Sequence, residues 1–160
     1  MVFFRNLILL FPVALYPCPQ LVAYYDLLSK AKEHFIQQKY NESEYYFSQI
    51  ETCPNFYNEE KNLYQYALTL IHICSNLEKE IHCETKYKKA KKLLNSSIEL
   101  LKPVESFRKE LSERYYYLGI LYLKLNQCQA AKQSFYLSYK YDGNEKAYLN
   151  YQNLNHLCKN

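Results

Sequence analysis

The chain has no tryptophan, two glycines and five prolines in 160 residues. So few turn-forming residues argue against an all-β fold, which needs many turns. Two glycines cannot build a phosphate-cradling loop, and neither GxSxG nor HExxH occurs. No enzymatic activity, cofactor or catalytic residue is therefore expected. The formal net charge is +4, a mild excess without the strong basic stripe of a nucleic-acid binder, so no nucleic-acid partner is expected. What is abundant is aromatic: 19 tyrosines and eight phenylalanines. Apolar residues make up 49% of the chain, enough for the core of one domain.

The N-terminus reads apart from the rest. MVFFRNLILLFPVALYPCPQLVA carries Arg5 and then an apolar run from Asn6 to Tyr16, the pattern of an export signal. The run is short and interrupted by Pro12, Pro17 and Pro19, which argues against a membrane span. A buried first helix is the competing reading, and Pro12 counts against it because proline breaks a helix interior. Two processing outcomes fit. Leu15-Tyr16-Pro17-Cys18 resembles the lipobox of bacterial lipoproteins and makes Cys18 a lipidation candidate, although Pro17 stands where a small residue is usual. Cleavage after Ala23 would instead release a soluble product. The chain thus divides into a signal segment, residues 1–23, and a helical domain, residues 24–160. The expected location is the bacterial periplasm, with membrane attachment if Cys18 is acylated, or secretion in soluble form.

The domain repeats itself. With Ser112 as the first position, Tyr115, Leu118, Gly119 and Tyr122 take the fourth, seventh, eighth and eleventh. Ala131, Phe135 and Ser138 take the twentieth, twenty-fourth and twenty-seventh, and Gly143 ends the unit. Two antiparallel helices approach closely only where small side chains face large ones. Gly119 and Ala131 supply the holes, and Tyr115, Tyr122 and Phe135 the fillers. Upstream, Leu27, Ala31, Tyr40, Ser43 and Phe47 repeat the pattern. So do Leu63, Tyr66, Ala67 and Leu70, followed by Tyr87, Ala90, Leu94 and Ser97. An insertion near 75–85 splits this second unit. The segment Glu105–Arg114 is expected to extend the first helix of the third unit by two turns. Leu149, Leu154 and Leu157 mark a final amphipathic helix.

This spacing resembles the tetratricopeptide repeat, a helix pair of about 34 residues. The resemblance implies an all-α, right-handed α-solenoid of about three such pairs with a C-terminal capping helix. It also implies a non-enzymatic scaffold or assembly adaptor whose partner is a protein or peptide. The family's groove-facing positions fall here on Leu28, Lys32 and Phe35, on Tyr64, Leu68 and Ile71, and on Tyr116, Ile120 and Leu123. Tyr25, Lys61 and Glu113 extend the set. A mainly aromatic and aliphatic groove suits an apolar helix or extended segment.

Other clusters offer alternatives. His72, Cys74, His82 and Cys83 are metal- and redox-capable, but their spacing is no standard zinc arrangement, and no metal site is expected. A metal- or redox-active helical module is the second functional reading, and a self-assembling structural repeat the third. Six cysteines in an exported chain can pair, and Cys74 with Cys83 would clip the insertion. If Cys18 is lost to lipid or cleavage, one thiol stays free; Cys53 and Cys128 read equally well as small core residues. The basic run KYKKAKK, residues 86–92, reads as a solvated helix face or as a contact for an anionic partner. Asn41-Glu42-Ser43 and Asn95-Ser96-Ser97 match the glycosylation acceptor pattern, with Ser43 and Ser97 on packing positions.

Overall fold

The computed structural model describes residues 18–75, 83–103 and 105–158. The apolar N-terminal run, the middle of the insertion and His82 lie outside the described residues. Among those described, the chain is all-helical and has no strand. The helices are α1 (Leu21–Ile36), α2 (Tyr40–Ile50), α3 (Pro54–Tyr57), α4 (Glu60–Ser75), α5 (Cys83–Leu101), α6 (Arg108–Lys124), α7 (Cys128–Asp142) and α8 (Glu145–Leu157). Apart from the short α3, each helix packs on the next, and α2 packs on α4 across it.

The helices pair in antiparallel fashion. Ala31 meets Ser43 near the middle of α1 and α2, while Phe35 meets Tyr40 at their turn. Glu60 meets Ser97, and Cys74 meets Cys83, at opposite ends of α4 and α5. Ser112 meets Ser138, and Gly119 meets Phe135, along α6 and α7. Between pairs the order is parallel. Glu60 and Tyr64 of α4 reach Arg114 and Tyr117 of α6, while Phe35 of α1 reaches His72 of α4. So α1, α4 and α6 stand side by side in one row. The second row holds α2 and α5, where Glu44 pairs with Lys86 and Glu51 with Lys89. Lys91 of α5 also reaches Gln127, the residue before α7, at 3.4 Å.

The spacing read from sequence is realised as packing. Ala31, Ser43, Phe47, Leu63, Tyr66, Ala67, Leu70, Ala90, Leu94, Ser97, Ala131, Phe135 and Ser138 are all buried. Burying each large ring or aliphatic group contributes about 1.5–3 kcal/mol, so the apolar ladder, rather than helix propensity, holds the pairs together. A methyl group on Gly119 would lie 2.7 Å from the Phe135 ring. The backbone there must stay bare for α7 to approach.

The turns repeat as closely as the helices. Between α1 and α2, Gln37, Gln38 and Lys39 donate their amides to the carbonyls of Glu33, Phe35 and His34. Between α6 and α7, Leu125, Asn126 and Gln127 donate to Leu121, Leu123 and Tyr122 in the same order. Both turns place their middle residue in the left-handed region, Gln38 at φ 59° and Asn126 at φ 56°. This is the Schellman type of helix ending, which satisfies carbonyls that a helix terminus leaves bare. Gly143 ends α7 with φ 64° and no neighbour within 4 Å of an added Cβ, so it serves conformation rather than packing.

Several details differ from the sequence expectation. A 3-10 turn, Glu105–Phe107, precedes α6, which starts at Arg108. Part of the expected two-turn extension is therefore a separate, tighter turn. Pro54 opens the extra helix α3, whose Phe56 is fully buried against Phe47 and Tyr66. The insertion in the second unit carries α4 on to Ser75 and starts α5 at Cys83, with the link between them outside the described residues.

All six cysteines are paired, as Cys18–Cys53, Cys74–Cys83 and Cys128–Cys158. The first two bonds tie the pairs α1–α2 and α4–α5, and the third ties α7 to the final helix α8. No thiol is left over, and Cys53 and Cys128 are bonded sulfurs rather than simple core fillers.

Candidate partner-binding face

The row of α1, α4 and α6 presents the nine expected groove residues, and burial sorts them sharply. On α4, Tyr64, Leu68 and Ile71 are buried in the main core. On α1, Leu28 is buried, while Lys32 and Phe35 are half-buried. On α6, Tyr116 and Ile120 are half-buried and pack toward Phe135, Ala147 and Leu154, which join α6 to α7 and α8. Leu123 is 39% exposed. Of the flanking positions, Tyr25 is 51% exposed, and Lys61 and Glu113 are exposed as well. Val22 and Ile36 of α1 stand further out of the core, at 84% and 76% exposed.

Aromatic side chains close the middle of this row. Tyr40 stacks on His72 at 4.6 Å between ring centres, and Phe35 lies edge-on to Tyr40 at 5.8 Å. Tyr64 meets Tyr117 edge-on at 6.1 Å. Arg114 lies with its guanidinium carbon 3.7 Å from the centre of the Tyr64 ring. Its Nη2 donates to Glu60 at 2.8 Å and its Nη1 to Glu113 at 3.1 Å. Burial, followed by the Glu113 carboxylate, lifts the Tyr64 hydroxyl far above the ordinary tyrosine range. Burial alone lowers the His72 pKa below its usual value. Both groups are therefore neutral at pH 7.

The chain matches no protein-family model and no curated protein.

The other clusters resolve plainly. Cys74 and Cys83 are bonded to each other, which occupies both sulfurs, and His72 sits within the Tyr40–Phe35 stack. Among the described residues no group of three or more His, Cys, Asp or Glu is placed to hold a metal ion. The basic run is spent largely within the molecule. Lys86 pairs with Glu44, Lys88 with Glu84, and Lys89 with Glu51 and the Tyr66 hydroxyl, while Lys91 lies over Tyr122. Lys88 pairs within α5, whereas the Lys86 and Lys89 carboxylate pairs tie α5 to α2 and its C-terminal end, and the Tyr66 and Tyr122 contacts tie it to α4 and α6. Asn41 and Asn95 are exposed, while Ser43 and Ser97 are fully buried and hydrogen-bonded. Among the described residues, no helix is long and apolar enough to cross a membrane.

Two features escaped the sequence reading. Arg114 is 3% exposed, yet in Ser112-Glu113-Arg114-Tyr115 it reads as one more surface charge. Glu60, its partner, opens α4 and reads as an ordinary first-turn acid. Their separation of 54 residues leaves no local signal.

Proposed function

We propose that this chain is an exported, non-enzymatic protein-interaction scaffold built as a tetratricopeptide-type, right-handed α-solenoid. Three helix pairs, α1–α2, α4–α5 and α6–α7, form the stack, and α8 covers its C-terminal end. The observation that carries this reading is the recurrence of one joint. The α1–α2 and α6–α7 turns share hydrogen-bond pattern and left-handed residue, and each pair sets a small residue against its partner helix. Stacked units of this kind offer an extended face rather than a catalytic pocket.

Within this reading the partner is a protein or peptide with an apolar segment. It meets the α1–α4–α6 row where side chains remain accessible: Tyr25, Lys32, Phe35, Ile36 and Leu123. Tyr64, Leu68 and Ile71 support that face from beneath. Three disulfides favour an oxidising compartment outside the cytosol.

The test is the size of the native complex, followed on non-denaturing gels from the source cells. Tyr25→Glu with Leu123→Glu should release the chain to its free size, whereas Tyr45→Glu on α2 should leave the complex intact. A complex equally insensitive to both, with helicity retained, removes the proposal. A wild-type chain that never migrates above its own monomer does the same.

A further inference from the structure

The Cys18–Cys53 bond bears on where an export signal ends, and so on what the mature protein is. Cleavage after Ala23 is one expectation, and lipid attachment at Cys18 is the other. Each conflicts with what the described residues do.

Ala23 is not a linker residue. It lies in the first turn of α1, which runs from Leu21. The Tyr24 amide donates to the Gln20 carbonyl at 2.9 Å, and Tyr24 itself is 1% exposed. A cut after Ala23 would convert that amide into a charged ammonium on a buried residue. It would also remove the carbonyl that the amide bonds. Burying an unpaired charge is strongly unfavourable. The same cut discards Cys18 and leaves Cys53, which is fully buried at the start of α3, without its sulfur partner.

Lipidation meets a different obstacle. The acyl anchor of a lipoprotein is carried by a thioether on the cysteine sulfur, and Cys18 Sγ is already bonded to Cys53 Sγ. One sulfur cannot hold both. The sequence agrees, since Pro17 occupies the position where the lipobox resemblance asks for a small residue. The bond also has a structural task. Cys18 stands just before α1 and Cys53 just after α2, so it joins the two free ends of that helix pair, with Cα atoms 5.2 Å apart.

We infer that maturation cuts this chain on the N-terminal side of Cys18, so that the mature protein keeps Cys18 as the disulfide partner of Cys53 and carries no lipid on that sulfur. The chemistry balances as an ordinary oxidation. The two thiols lose two electrons and two protons to the disulfide-forming thiol oxidant of the export compartment as the sulfur–sulfur bond forms. The inference rests on the export reading given above, and the measurement separates the two.

That measurement is mass spectrometry of the native protein, intact and as a peptide map without and with reduction. The expected result is an N-terminus at or before Cys18 and downstream of Met1. A peptide joining Cys18 to Cys53 should be present before reduction and lost after it. A mature chain starting at Tyr24, or a diacylglyceryl group on Cys18, overturns the inference while leaving export intact. A retained Met1 overturns export and the cut together. As a second readout, Cys53→Ser should expose one thiol to maleimide in the mature chain, and that label should map to Cys18. Absence of the label in soluble, folded protein contradicts the assignment.

Discussion

Arg114 of α6 donates to Glu60 of α4 at 2.8 Å while its side chain is only 4% exposed. Glu60 also accepts a longer bond, 3.4 Å, from Ser97 of α5, so one carboxylate gathers three helices. Buried pairs of this kind hold position more than they stabilise, because removing two charges from water offsets most of their attraction. Removing one partner is another matter. Arg114→Ala should destabilise the fold by about 3–5 kcal/mol, since Glu60 is left facing a void without its cation. Arg114→Met combined with Glu60→Leu should recover most of that loss. Urea denaturation of the three variants measures both effects.

Gln38 supplies a second prediction. It holds φ 59° at the α1–α2 turn, a conformation that glycine enters freely and a longer side chain does not. Gln38→Gly should stabilise the protein by about 0.5–1 kcal/mol, relief of strain outweighing the gain in unfolded-state freedom. Gln37→Gly, one residue earlier at φ −75°, should destabilise by a similar amount, about 0.5–1 kcal/mol. Thermal melts of the two variants should shift in opposite directions.

His72 makes the fold sensitive to mild acid. Burial lowers its pKa below the usual value of 6.5. As pH falls through that usual value, the unfolded chain takes up the proton first, so the folded state loses relative stability. The loss develops below about pH 7 and is complete once the pH is under the folded pKa. His72→Gln should therefore show a shallower decline of stability between about pH 7.5 and pH 5 than the wild type, measured by denaturant midpoints across that range. An unchanged slope would mean that the Tyr40–His72 stack accepts the charged ring.

The helical class and the packing positions were legible because small-against-large fitting leaves a local signature. Ala31, Ala67, Ala90, Gly119 and Ala131 stand at recurring offsets from large residues, and every one is buried. The candidate face was legible only in part. Position within the repeat predicted groove exposure for Tyr64, Leu68 and Ile71, but Tyr117 and Arg114 of α6 close over Tyr64, and all three α4 residues join the core. That closure depends on tertiary approach, which no offset along one helix records. The cysteines divide the same way. Cys74 and Cys83 flank one insertion and suggest each other, whereas Cys128 and Cys158 meet only because α8 folds back along α7.

Bare backbone at Gly119 facing the Phe135 ring sets how closely α6 and α7 approach. The most direct test is a double-mutant cycle on Gly119 and Phe135. Gly119→Ala alone should lower stability by about 1 kcal/mol, because crowding the fully buried Phe135 ring outweighs the helix-propensity gain of alanine. In a Phe135→Leu background the same change should instead raise stability by up to about 1 kcal/mol, a coupling near 2 kcal/mol. Equal effects of Gly119→Ala in both backgrounds would show that the two residues do not meet, and would contradict the account.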